Sequence, residues 1–143
     1  MRAAALFSHF LAQKKLKHSA KRDWILAAFL SIERHVTVED VWLAVKKAHP
    51  AVGFATVYRT LRLMRESGLC RELRFEDGTT RYEHALDHEH HDHIICTKCG
   101  SCIEVVDTTI EKLQERLMQR HGFSLSFHRM NLYGICKKCR KKA

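Results

Sequence analysis

Proline is almost missing from this chain: Pro50 is the only one in 143 residues, so no proline stands directly before either C-x-x-C pair. That absence removes the zinc deaminase signature, and the missing H-E-x-x-H removes the metalloprotease helix. Cys96, Cys99 and Cys102 begin like a bacterial iron-sulfur run, yet the nearby fourth cysteine and its proline are missing. Long apolar runs are absent too. The longest, Trp24 to Leu30, is far below a membrane span, and Met1 to Leu6 is too short for a secretory core region. Internal repeats and low-complexity tracts are also lacking. These absences lead us to expect a cytoplasmic protein with no membrane partner.

Cysteine and histidine, by contrast, are plentiful. Six cysteines, four of them in C-x-x-C pairs, accompany eleven histidines. In a chain with no export signal this composition favours metal binding over a disulfide framework. The formal charge of +9 is unevenly placed. Residues 1–83 hold 15 Lys and Arg against 9 Asp and Glu, residues 84–136 hold 5 against 7, and the last seven residues add five cations. The basic first half is the expected phosphate binder.

Periodicity predicts a helix from residue 3 to about 16, with Leu6, Phe7, Phe10 and Leu11 on one stripe. A second is expected from Ser19 to about Ser31, and a third from Thr37, with Glu39 and Asp40 in its first turn, to just before Pro50. The fourth, from about Ala55 to Ser67, has two unlike faces. Val57, Leu61 and Met64 form a core stripe, whereas Tyr58, Arg59, Arg62 and Arg65 lie beside it. Gly68 supplies a stop. Leu73 to Glu76 and Thr79 to Glu83 then read as strands joined by Asp77-Gly78, a two-residue hairpin signal. Three helices, an arginine-faced helix and a hairpin give the order of a winged helix-turn-helix.

After Glu83 the composition turns polar, through His84 to Glu89, and a boundary is placed between residues 84 and 85. Beyond it, Ile94 to Cys96 and Cys102 to Val106 read as strands. Asp107 caps a helix with Ile110, Leu113 and Leu117 inward, and Gly122 ends it. Phe123, Leu125 and Phe127 alternate as a third strand, with a phase shift toward Met130 and Leu132. The fold class is therefore α+β: an N-terminal winged helix-turn-helix domain over 1–84 and a small C-terminal α/β unit over 85–143. The second unit is of a kind that could pair with a copy of itself.

Two kinds of metal ligand sit in that second half. Cys96-x-x-Cys99-Gly100 and Cys136-x-x-Cys139 are two knuckles that together satisfy the closed, four-coordinate geometry of structural Zn2+. Cys70 reads as a small buried hydrophobe, and Cys102 as a strand residue without a metal role. If His90 to His93 is extended, alternation places His91 and His93 on one face and His90 and Asp92 on the other. Each pair needs further donors. Candidates are His35, Glu83 and Glu104 for the first set, and Glu111 and His128 for the second. Imidazole and carboxylate suit iron, manganese, zinc or nickel. Such donors also build hydrolases, so a zinc-dependent enzyme is the rival class.

These residues carry a resemblance. Ala55-Thr56-Val57-Tyr58-Arg59-Thr60-Leu61, Tyr82-Glu83, His90-His91-Asp92-His93-Ile94-Ile95-Cys96-x-x-Cys99-Gly100 and Leu132-Tyr133-Gly134-Ile135-Cys136-x-x-Cys139 resemble the ferric uptake regulators over nearly the whole chain. The resemblance implies a homodimer that binds double-stranded operator DNA and represses metal-uptake genes, not an enzyme. It implies a regulatory site for Fe2+, or for Mn2+ or Zn2+, at His35, Glu83, His91, His93 and Glu104. It further implies an additional site at His90, Asp92, Glu111 and His128, structural Zn2+ on the four knuckle cysteines, and dimerisation through the second domain. Lys15, Lys17, Thr56, Tyr58, Arg59, Arg62 and Arg65 take the DNA-binding positions. Two departures stand out. The connector after Glu83 is one residue longer than in the iron regulators, which makes His84 an alternative to Glu83, and Cys102 is outside the pattern. Peroxide sensing is a variant reading within the family.

Overall fold

The computed structural model describes residues 2–86 and 90–142, and two compact units, 1–88 and 89–143, divide the chain. In the first, helix α1 (Arg2–Gln13) buries Ala3, Phe7 and Leu11, which recur every four residues on one stripe. Helix α2 (Ala20–Leu30) is capped by Ser19, whose hydroxyl accepts the Arg22 backbone N–H, and buries Ile25, Leu26 and Phe29. Helix α3 (Val38–Ala48) begins with a reciprocal capping box between Thr37 and Asp40 and buries Val41 and Val45. Helix α4 (Phe54–Glu66) turns Val57, Thr60, Leu61 and Met64 inward. These stripes share one core with Leu69, Cys70 and Tyr82.

Strands β1 (Cys70–Arg74) and β2 (Thr80–His84) pair antiparallel after α4. The sequence places β1 three residues too late and the turn too short. Between the strands, the Phe75 N–H donates to the Thr79 carbonyl at 3.0 Å, and Gly78 sits at φ +80°. That is a longer loop with a left-handed glycine, which lets Asp77 accept from both the amide and the hydroxyl of Thr79. Val36 adds a two-way bridge to Tyr82, at 3.0 and 2.7 Å, so the segment before α3 joins the hairpin. Ala85 donates to the Leu69 carbonyl and Leu86 packs on the helical core, so the first unit runs past residue 84. The remainder of the expected connector, Asp87, His88 and Glu89, lies outside the described residues.

In the second unit, β3 (Asp92–Cys96) is central, with β4 (Cys102–Val105) antiparallel on one side and β5 (Asn131–Gly134) parallel on the other. Helix α5 (Thr108–Arg120) starts at Asp107, which accepts from the Thr109 and Ile110 amides, and a single turn, α6 (Lys137–Arg140), closes the chain. Two expectations are corrected here. Residues 123–130 form no strand; the third strand is 131–134, because β3 recruits it from its Asn131 end in parallel register. Leu113 and Leu117, expected inward, are each 55% exposed, and Phe127 is 77% exposed. The unit is too small to cover this apolar surface with its own chain.

Phe29 is fully buried at the centre of the helical core, so Phe29→Ala is expected to lower the unfolding free energy by about 3–5 kcal/mol. Thermal melts with a fall of only a degree or two would contradict that role.

Candidate metal centres and nucleic-acid interface

The parallel pairing of β3 and β5 sets Cys96 opposite Gly134, two residues before Cys136, and thereby brings the two C-x-x-C turns together. All four sulfurs, from Cys96, Cys99, Cys136 and Cys139, lie within 4.8 Å of one another. Gly100, at φ +70°, closes the first turn by donating to the Cys96 carbonyl, and the Cys136 amide points at the Cys96 sulfur at 3.3 Å. That amide is the main reason the Cys96 thiol is pulled down to about 6. Cys139 is pushed up to about 12, chiefly by its hydrogen bond with Cys136. Four sulfurs gathered this closely suit a closed, four-coordinate Zn2+ site. Cys102 lies opposite Ile95 on β4, outside this group.

His90, Asp92, Glu111 and His128 form a second group, their ligand atoms again within 4.8 Å of one another. The Nε2 atoms of His90 and His128 are 2.9 Å apart, and Glu111 Oε1 lies 3.5 and 3.4 Å from them. Asp92 is buried; its Oδ2 lies 3.3 Å from His128 Nε2, and its Oδ1 accepts from the Met130 amide at 3.1 Å. Glu111 Oε1 is buried with no hydrogen-bond partner among the described residues. Buried acceptors converging on one point fit a divalent cation, and the nitrogen and oxygen donors suit a borderline ion.

The residues assigned by resemblance to a regulatory site divide between the two units. In the first unit, His35 Nε2 donates to Glu83 Oε2 at 3.0 Å, both side chains being 6% exposed. His35 is held there because the neighbouring Val36 bridges to Tyr82, the residue before Glu83. His84, the alternative, points its Nε2 at the Phe29 carbonyl at 2.8 Å. In the second unit, His91 and His93 stand edge to face with ring centres 5.0 Å apart, and His91 Nε2 is 3.8 Å from Glu104 Oε1. His93 Nδ1 donates to Asn131 Oδ1 at 3.3 Å. Asn131 was not foreseen, since only the β3–β5 register brings it there.

The arginines of α4 do not act alike. Arg65 is bonded to Glu72 of β1 at 2.5 Å, which raises its already high pKa and turns it toward the hairpin. Arg59 and Arg62 instead line a cleft of about 530 Å³ together with Lys17, Lys21 and Arg22; Thr56 also lines it. Arg22 donates to the Lys17 carbonyl, tying the α1–α2 connector to α2. Tyr58 is 44% exposed, and Lys15 occupies a left-handed backbone position just past α1. Lys21 and Arg22 were missed. The overlooked signal was two cations in the first turn of a helix, where the dipole disfavours them unless they serve an anion.

Comparison with known proteins places these features in context. The model of the Ferric uptake regulator family matches residues 13–133. The ferric uptake regulation protein of Bordetella parapertussis is 42% identical over 127 residues, covering 88% of this chain and 91% of that one. The solved Helicobacter pylori ferric uptake regulator, described with three functional metal binding sites, superposes with a TM-score of 0.87 at 26% identity, over 96% of this chain and 93% of that one. The Campylobacter jejuni peroxide stress regulator superposes with a TM-score of 0.66 at 29% identity, over 92% and 97%. No described helix is long and apolar enough to cross a membrane.

In the metal-stripped chain at pH 7, iodoacetamide is expected to label the exposed Cys99, whose thiol is held low chiefly by its bond with Ser101, ahead of Cys139. Cys70, buried and pushed up to about 12, should react only on unfolding. Peptide mass mapping that finds Cys70 modified first would contradict this order.

Proposed function

Since the chain belongs to the Ferric uptake regulator family, whose members are metal-responsive DNA-binding transcription regulators and not enzymes, we propose that it represses metal-uptake genes in response to Fe2+. The observation that carries this reading is the division of imidazole and carboxylate donors into two incomplete sets, His35 with Glu83 and His91 with His93 and Glu104. Neither set alone fills a coordination sphere. Together they would hold one ion, which supplies the charge that lets buried donors of the same kind share a centre. His35 and Glu83 then hold the DNA-binding unit, and His91 and His93 hold the other. The relative orientation of two recognition helices in a dimer becomes a function of ion concentration.

The zinc-enzyme alternative falls with the family assignment. Cys96, Cys99, Cys136 and Cys139 would hold a permanent Zn2+ that substitutes for core in the second unit. His90, Asp92, Glu111 and His128 would hold an additional ion, for which the convergence of their ligand atoms within 4.8 Å is the support. Family members function as dimers. The exposed apolar residues of the second unit, among them Ile103, Val106, Leu113 and Leu117, are what a second copy would cover. We place the protein in the cytoplasm, with its operator.

In this reading α4 enters the major groove. Tyr58 meets a thymine methyl, while Arg59 and Arg62 meet base edges at the groove or phosphates at its rim. Lys15, Lys17, Lys21 and Arg22 grip the adjoining backbone. Arg65 acts through Glu72, fixing the hairpin against α4 rather than touching bases. Similarity to a peroxide stress regulator supports a second outcome, oxidation at the same histidines.

Gel shifts against family-type operator DNA test the proposal. After chelation, binding should be lost, and anaerobic Fe2+ should restore it at lower concentration than Mn2+ or Zn2+. Binding that is equally tight in excess chelator would end the metal-response reading. Tyr58→Ala and Arg59→Ala should each weaken specific binding by about tenfold or more with an unchanged melting temperature. Retained affinity would remove this face from the interface. Mass spectrometry finding one added oxygen on His35 or His91 after peroxide would shift the reading to peroxide sensing.

A further inference from the structure

The two oxygens of the Glu83 carboxylate face different partners. Oε2 accepts from His35 Nε2 at 3.0 Å, and Oε1 lies 3.7 Å from Arg71 Nη1. Arg71 and Glu83 are direct partners across the β1–β2 ladder, so register, and not a passing rotamer, sets this proximity. Glu83 is 6% exposed and Arg71 48% exposed, which means the guanidinium reaches over the edge of the hairpin toward a carboxylate shielded from water. A guanidinium keeps its charge at every physiological pH.

We propose that Arg71 is a resident competitor for the regulatory ion, holding the Glu83 carboxylate when no ion is present and setting the concentration at which the site fills. The inference rests on the reading of Glu83 as a regulatory ligand and concerns how that site is tuned. A buried carboxylate needs compensating charge in the ion-free protein, and Arg71 supplies part of it. An incoming divalent cation takes over the same carboxylate and meets a fixed positive charge a few ångström away. Either Arg71 swings out to water, losing its partner, or it remains and repels the ion. Both raise the ion concentration needed for occupancy. Half of Arg71 is in solvent, which lowers this opposition without cancelling it. Arg71 is thus a positioning and tuning residue, not a ligand. Its effect is confined to the carboxylate set and leaves the cysteine cluster untouched.

The test uses the full-length chain with its tightly held metal retained, treated with a mild chelator, and Mn2+ as an air-stable probe. Arg71→Met keeps the stem and deletes the charge. Isothermal titration should show Mn2+ binding at the Glu83-dependent site about tenfold tighter than in the unsubstituted protein. The Mn2+ concentration for half-maximal operator binding should fall by a similar factor. Arg71→Lys, which restores a cation, should return both values to within about twofold of the original. Thermal melts establish that each variant is folded. Glu83→Ala should abolish that binding step, and the Arg71→Met/Glu83→Ala double variant should match Glu83→Ala. If Glu83→Ala abolishes the step while Arg71→Met leaves the Mn2+ affinity unchanged, the competitor role is overturned and the regulatory reading stands. If Glu83→Ala leaves Mn2+ binding and the DNA response intact, the regulatory reading itself fails, and Arg71 has nothing to compete for.

Discussion

Two backbone hydrogen bonds between Val36 and Tyr82 constrain everything the first unit can do with a metal. They splice the segment before α3 onto the hairpin, so that His35 and Glu83, each adjacent to a bridging residue, meet in the interior. Burying a carboxylate and an imidazole would otherwise be costly, and the pairing with each other and with Arg71 offsets that cost. The same hairpin is held to α4 by Arg65 and Glu72. His35 and Glu83 are thus mounted on the same hairpin that Arg65 and Glu72 tie to α4, the helix that bears Tyr58 and Arg59.

The second unit solves a different problem. Its strands bury Ile95 and Cys96 and little else that is apolar, while the described helix α5 buries nothing. A core so small cannot offset the entropy of ordering the chain. Two features would make up the difference: a metal held by the sulfur donors that the β3–β5 pairing gathers, and a second copy covering the exposed apolar surface. Asp92 and His93 lie on β3 itself, with His90 and His91 just before it, and His93 pairs with Glu104 of β4 and Asn131 of β5.

Much of this was readable in the residues because the relevant signals are local. Helix caps, the 3.6-residue stripes of α1 to α4 and the cysteine spacings need no tertiary knowledge. Errors arose where local patterns met nonlocal choices. Alternation at Phe123, Leu125 and Phe127 suggested a strand, but it records a surface to be covered and does not say by what. The actual third strand begins at Asn131, because β3 selects it through long-range pairing. Asp77-Gly78 suggested a two-residue turn, whereas the bond from Phe75 to Thr79 makes the loop longer. Arg65 looked like its neighbours on α4 until Glu72 was seen opposite it. Asn131 and Arg71 have no motif at all; each matters only through the residue that strand register sets beside it.

The central claim is that one ion draws on donors from both units, and histidine-selective NMR of the full-length chain, titrated with paramagnetic Mn2+, addresses it most directly. The account predicts that the imidazole signals of His35 and His93 broaden together, with one midpoint. Broadening of His91 and His93 while the His35 signal stays sharp at saturation would contradict it.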